Sequence, residues 1–447
     1  MGSTATRTSY DRHRQRAAAR RRRLVLLLVL ATALCVVGVA LAYPRLRGGE
    51  ADVQEPIMPE AATATAAATV TAPVDDAAAA ASATSTPVEP TPAADGGDII
   101  ARYQSGPIQP DDQPSPQAQA AIDEAMANGR PPQFIVSSFD GAADIDMYRL
   151  WLPLAEETGA RFTFFVSGIY LLLPQYADAY QPPNKPAGFS NLGGYSELAG
   201  SKSAVRNLYD NYLAFNAARR MGNEIGSHYV SHICDESNAW TADDWVSEQS
   251  QWERLMLQVN DVNHLKTPID SIITKNDFHG GRTPCLMGDK AALYDAMASM
   301  GYAYDASQEG ILGQWPAKQQ GLWNFPLPSI HRYGSKYATL AMDYNFYFNH
   351  GKTDDPATLD KLRNWTYRSY IGAFQDLYRS NRAPLILGSH FATWNHGVYN
   401  DALARMLRKA CTTPEVACVD FITLARWLDQ QSPAKLEKWQ AGRFPQR

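Results

Sequence analysis

The stretch from Gln133 to Val166 constrains the fold more than any other. Residues 133–139 hold the run Phe134-Ile135-Val136 and end on Phe139. Met147, Leu150, Trp151 and Leu154 then recur at helical spacing up to Gly159, and a second apolar run, Phe162-Thr163-Phe164-Phe165-Val166, follows. Strands that are apolar along their length are buried on both faces, as in parallel sheets. Two such strands joined by a helix make a right-handed βαβ unit.

The alternation continues through the chain. Ser115 and Pro116 open a helix that Asn128 and Gly129 close. Residues 173–203, rich in Pro, Gly, Asn and Tyr, read as a surface excursion. Helices are expected at 207–221, 243–265, 290–300, 358–379, 400–409 and 422–430, and strands at 224–226, 271–274, 302–304, 322–326 and 384–388. Repeated βα units with apolar strands predict an α/β fold, a parallel (β/α) barrel in preference to a sandwich.

The folded part begins near Ile99, so the domain is set at 98–447. Residues 1–23 carry eight Arg and one acidic side chain, Asp11, a balance of +7 in a chain of net charge −5; the remainder therefore stands near −12. That acidic balance argues against nucleic acid as its partner. Residues 24–43 are 20 consecutive uncharged residues rich in Leu, Val and Ala. As a helix they are long enough to cross a hydrocarbon core of about 30 Å, and the Arg cluster before them places the N-terminus in the cytoplasm. The expectation is a single-pass signal anchor with the domain outside the cell membrane. Ala40-Leu41-Ala42 also fits a signal-peptidase site, so secretion after cleavage at Ala42 is the alternative. Residues 44–97, dominated by Ala, Thr and Pro, read as a disordered linker.

Polar residues cluster where the expected strands end. Asp140 follows Phe139, His228 and His232 follow the strand at 224–226, Arg282 follows 271–274, and His390 follows 384–388. In parallel barrels the C-terminal strand ends carry the site. Two histidines four residues apart at the start of a helix share a face and can converge on one metal ion. A metal held by two His and a carboxylate can polarise an acyl carbonyl. Asp140 then suits a general base paired with Arg282, and His390 suits a general acid. Asp305 reads as a turn residue. Trp394, Asn395 and His396, with Trp315 and Trp323, either line a sugar cleft or pack in the core. The four cysteines beyond the anchor pair by default in an oxidising compartment: Cys411 with Cys418 across a short loop, leaving Cys234 and Cys285 to each other, with free thiols as the other reading.

In this order the motifs resemble the polysaccharide deacetylase family with the NodB homology domain, carbohydrate esterase family 4. The family's Thr-Phe-Asp-Asp-Gly, His-x-x-x-His, Arg-x-Pro-Tyr and Leu-x-His motifs are matched by Ser138-Phe139-Asp140-Gly141, His228-Tyr229-Val230-Ser231-His232, Arg282-Thr283-Pro284-Cys285 and Leu387-Gly388-Ser389-His390. The resemblance implies a distorted, seven-stranded (β/α) barrel and a divalent metal, commonly zinc. It implies removal of N-acetyl or O-acetyl groups from an acetylated polysaccharide such as peptidoglycan, a chitin-like glycan or a capsule. Pro284, Cys285 and Trp394 would then face the substrate, the Cys285 N–H helping to hold the oxyanion.

Two positions depart from the pattern. Gly141 stands where the family has its second Asp, the metal ligand, and Cys285 stands for its Tyr. Matched without a gap, Asp140 is the base and the carboxylate ligand is lost; with a one-residue deletion Asp140 is the ligand. The ungapped register is favoured, with Asp144 or Asp146 as replacement carboxylates or ordinary helix caps. The competing expectation is a catalytically impaired carbohydrate-binding protein on the same scaffold.

Overall fold

The computed structural model describes residues 97–192 and 204–446. The basic tail, the span at 24–43, the linker up to residue 96 and the end of the surface excursion at 193–203 lie outside the described residues. Among the described residues, no helix is long and apolar enough to cross a membrane.

After a single helical turn at Ile99–Arg102, the first long helix, α1 (Pro116–Ala127), starts as its sequence dictates. Ser115 Oγ accepts from the Ala118 N–H, and Pro116 occupies the first turn, where no donor is missed. The strand β1 (Gln133–Asp140) is buried at every position. Its partner in the βαβ unit is β2 (Thr163–Val166), reached through α2 (Ile145–Thr158), which closes on Gly159 in the left-handed conformation. The pair is parallel, with Asp140 opposite Phe165. Helix α3 (Ala204–Arg220) leads to β3 (Glu224–Ser227), and α4 (Ala242–Leu257) precedes β4, which is only Gly280–Gly281. Then come α5 (Lys290–Ser299), β5 (Tyr304–Asp305), β6 (Glu309–Ile311), β7 (Ala317–Gln319), β8 (Leu322–Asn324), β9 (Leu327–His331) and β10 (Ala338–Leu340). The chain closes with α6 (Asp343–His350), α7 (Pro356–Arg379), β11 (Leu385–His390), α8 (Val398–Ala410), β12 (Val416–Cys418), α9 (Phe421–Asp429) and α10 (Pro433–Gln440).

The main sheet runs β11-β1-β2-β3-β4-β5-β8, parallel throughout, with β7 antiparallel on β8. Strand β12 pairs with Gln133–Ile135 of β1, below the point where β2 begins. With β12 the sheet holds eight parallel strands, and the expected seven-stranded barrel does not close: among the described residues β8 and β11 share no ladder. A small second sheet, ordered β10-β9-β6, stands at that seam. It is joined to β11 by the Gly388 N–H donating to the Ala341 carbonyl and by a bridge between Met342 and Gly388.

Several expectations are corrected. The helix expected at 243–265 breaks after Leu257, where Gln258 caps it, and only Val259–Val262 resumes. No strand forms at 271–274; the sheet is continued by Gly280–Gly281 instead, because β3 and β5 close in on either side. A Cβ at Gly281 would lie 2.8 Å from the Ser227 carbonyl and one at Gly280 2.4 Å from the Tyr304 ring. The excursion after Leu173 is not wholly superficial, since Leu173 and Tyr180 are buried. Strands β6, β7, β9, β10 and β12 and helices α6 and α10 are not among the expected elements.

Candidate functional site

The registers bring the polar strand ends to one level. Asp140 lies opposite His390 across β1 and β11, Ser227 lies opposite Gly281, and Gly281 opposite Asp305. His228 and Arg282 are the next residues after Ser227 and Gly281.

Arg282 is fully buried. Its guanidinium sits over the Phe165 ring at 4.9 Å and donates through Nη1 to Asp140 Oδ1 (2.9 Å) and Ser138 Oγ (2.7 Å), and through Nε to the Ala306 carbonyl (3.1 Å). Burial alone would favour the protonated acid at Asp140. The Arg282 guanidinium, with His390, outweighs it and holds the carboxyl below its usual range.

The two histidines do not start a helix. Tyr229 and His232 both adopt left-handed backbone angles (φ +55° and +57°), and this folds the loop so that the two rings lie 5.3 Å apart. The loop is pinned from behind: Gly168 and Ile169 N–H groups donate to the Tyr229 and Val230 carbonyls, and Glu248 Oε1 accepts from the Val230 N–H. The His228 Nδ1–H donates to the Arg282 carbonyl (2.8 Å), which leaves Nε2 for a ligand. Burial lowers both imidazoles, His228 to about 3, so both are neutral, as metal coordination requires. The donor set therefore fits a divalent cation at two positions. The carboxylate is less closely placed. Among the described residues the one group of three or more ligand-type side chains with donors all within 4.8 Å is His232, Cys234 and Cys285, not Asp140 with the histidines.

His390 is held by a residue that sequence reasoning did not single out. Asp343, at the start of α6 and buried, accepts from His390 Nδ1 (2.7 Å) through Oδ1. Its Oδ2 accepts from the His390 N–H (2.8 Å) and Ser389 Oγ (2.9 Å). Burial disfavours the imidazolium, but Asp343 outweighs it and raises His390 above its ordinary value. The site thus holds an ionised carboxylate, two neutral imidazoles and one imidazole biased towards its charged form.

No protein family matches the chain by sequence, and no curated protein does. Among solved structures it is similar to a candidate polysaccharide deacetylase of Mycobacterium smegmatis, at 13% identity over 68% of this chain and 93% of that one, with a TM-score of 0.41. A carbohydrate esterase family 4 pseudoenzyme from Bacillus anthracis follows at 9% identity, 66% of each chain and a TM-score of 0.35. A family 4 esterase from Streptococcus mutans follows at 12%, over 66% of this chain and 84% of that one, with a TM-score of 0.33. Likeness at this level describes those proteins. What this chain does rests on its own side chains.

Both expected disulfides are present, Cys234–Cys285 and Cys411–Cys418. The first ties the histidine loop to the Arg282 loop, just after buried Pro284. Trp394 belongs to the site: its ring meets His390 edge-on at 5.2 Å, stacks on Tyr347 at 5.4 Å and touches Tyr344 at 5.4 Å. Tyr344 and Phe348 on α6 are exposed and extend this aromatic face. The remaining candidates fall elsewhere. Trp315 and Trp323 are buried and bonded to the Asn381 carbonyl and to Asp429. Asn395 holds the Gly351 carbonyl and the Tyr399 hydroxyl, and His396 pairs with Asp354 at the surface. Asp305 is not a turn residue but the buried last residue of β5, its carboxylate accepting from Ser307 Oγ and N–H. Asp144 caps α2 and Asp146 pairs with Arg149, the ordinary roles weighed for them.

Strain marks the same loops. Of the eleven non-glycine residues with positive φ among the described residues, Tyr229, His232, Cys285 and Leu286 lie in the histidine and Arg282 loops, and Asn395 and His396 directly follow Trp394. Such conformations cost about 1–3 kcal/mol each and persist at sites that need them.

Proposed function

We propose that the protein is a metal-dependent hydrolase that removes acetyl groups, N-linked or O-linked, from sugars of an extracytoplasmic polysaccharide. The observation that carries the reading is the opposition of Asp140 and His390 across one strand pair, one held ionised and the other biased towards its protonated form, beside two neutral histidines. His228 and His232 would hold the cation, which supplies Lewis-acid polarisation of the acetyl carbonyl when bound. Asp140, fixed by Arg282 through Oδ1, accepts the proton of the attacking water. His390, fixed by Asp343 through Nδ1, donates from Nε2 to the departing amine or alcohol. The Cys285 N–H faces the oxyanion, and Trp394 with Tyr344 gives a sugar ring an aromatic face to stack on. Residues 24–43 anchor the domain outside the membrane, with residues 44–97 as its tether.

Gly141 favours a second reading. Its φ is +69°, and it brings no carboxylate to the site, so the cation rests on fewer protein ligands than three. A carbohydrate-binding protein that has lost catalysis would look the same at this position. The test is metal content and acetate release by the full-length chain beside His228→Ala and His232→Ala. Near-stoichiometric metal lost in both variants, with acetate released from an acetylated glycan, is expected. Metal-free, folded protein in all three would leave the binding protein.

A further inference from the structure

We infer that the Cys234–Cys285 disulfide masks a second metal site, a His232–Cys234–Cys285 set that takes a thiophilic divalent cation once the bridge is reduced. The donor atoms of these three side chains all lie within 4.8 Å of one another, and Cys234 Sγ is 3.8 Å from His232 Nδ1. A tetrahedral zinc with bonds of about 2.3 Å to sulfur and 2.0 Å to nitrogen holds such a pair about 3.5 Å apart. The two Cα atoms stand 5.6 Å apart, so opening the bridge leaves the two sulfurs within reach of one ion beside the imidazole. Cys285 is exposed and Cys234 and His232 are half-buried, so the bridge is open to a small reductant.

The loops do not depend on the bridge for their course. The histidine loop is held by Gly168, Ile169 and Glu248. The Arg282 loop is held by Thr283 N–H donating to Ser307 Oγ (2.8 Å) and by Lys290 Nζ donating to the Leu286 and Met287 carbonyls. Reduction therefore frees the sulfurs within a preformed cradle. A dithiol reductant supplies two electrons and two protons, becomes a disulfide itself and leaves two Cys thiols. The cation then displaces both thiol protons and binds two thiolates and the imidazole, with a fourth position open to water.

His232 belongs to both sets. If His228 and His232 hold the hydrolytic cation, which rests on the proposed function, reduction transfers one of its two imidazoles to the thiolate site. The thiolate site itself stands without that reading.

The test is a cobalt(II) titration of the full-length chain before and after reduction by a phosphine, read by thiolate-to-cobalt charge-transfer absorption, with circular dichroism for folding. No thiolate band is expected in the oxidised chain, and one equivalent with two thiolates in the reduced chain. The band should vanish in Cys234→Ser/Cys285→Ser, persist in Cys411→Ser/Cys418→Ser and weaken at least tenfold in affinity in His232→Ala. His228→Ala should keep it, which separates this site from the hydrolytic one. A reduced, folded chain without the band overturns the inference. So does a band surviving in Cys234→Ser/Cys285→Ser, or a reduced chain that unfolds and is not restored by cobalt. Should Cys411→Ser/Cys418→Ser fail to fold, the wild type and Cys234→Ser/Cys285→Ser alone decide.

Discussion

Asp343→Asn is the most informative single change, because Asp343 acts on the acid without touching the cation or the base. Both its oxygens are committed: Oδ1 to His390 Nδ1 at 2.7 Å, Oδ2 to the His390 N–H and Ser389 Oγ at 2.8 and 2.9 Å. An amide can satisfy only one side. Either its oxygen meets the imidazole and its NH2 opposes the backbone N–H, or the reverse. The change therefore removes a buried charge-assisted hydrogen bond, about 1.5–3 kcal/mol. At 1.36 kcal/mol per pKa unit, His390 should fall by about one to two units. The sign follows from linkage: a His raised in the folded state contributes stability that is full below its unfolded value and is lost as pH rises through the folded one, and the variant forfeits it. The alkaline limb of hydrolysis should move to lower pH by the same amount. Proton NMR of the histidine Hε1 signals, with His390→Gln to assign the resonance, reads the shift without a substrate. A His390 midpoint that agrees within a few tenths of a unit in wild type and Asp343→Asn would refute the reasoning.

Three further outcomes are expected. Arg282→Met strands Asp140 as a buried, unpaired carboxylate; loss of one partner of such a pair costs about 3–5 kcal/mol, and a denaturant midpoint unchanged from wild type would count against the pair. Burial raises Glu224 and takes Asp420 up to about 7, so both favour the folded state when protonated; stability should fall as pH rises from about 4 to 7, and Asp420→Asn should flatten that slope in pH-resolved melts. Gly281→Ala sets a methyl against the Ser227 carbonyl, where backbone must move; a loss of about 1–3 kcal/mol is expected, together with weaker metal binding as Arg282 and His228 shift.

What could be read from the chain was what short segments decide for themselves. The run before Asp140 is buried on both faces and forms β1, and the Ser115-Pro116 start and Gly159 stop behave as their side chains and missing side chain require. Both cysteine pairs followed from counting and spacing. Strand β4 escaped notice because two glycines carry no apolar signal; its place is decided by the strands on either side. The i, i+4 spacing of the histidine pair suggests a helix, whereas two left-handed residues, Tyr229 and His232, bring the rings together. Asp343 lies 47 residues before His390, in a region where short strands and an aromatic helix lack any sustained period, and no local pattern links the two. A hint was present in Asp343 followed by Tyr344, Phe346, Tyr347 and Phe348, an acidic residue heading an aromatic run.

The strands and helix that stand at the open seam of the sheet also carry the residue that orients the acid. The chemistry is thereby divided between two parts of the chain with different structural debts. Asp140, Arg282 and the two histidines stand on or just after the parallel strands, and the bias on His390 comes from α6, next to the small second sheet. If the proposed function holds, a single proteolytic cut in the β9–β10 turn is expected to loosen the hold on His390 while His228 and His232 stay in place. On that reading, loss of activity need not begin at the two histidines.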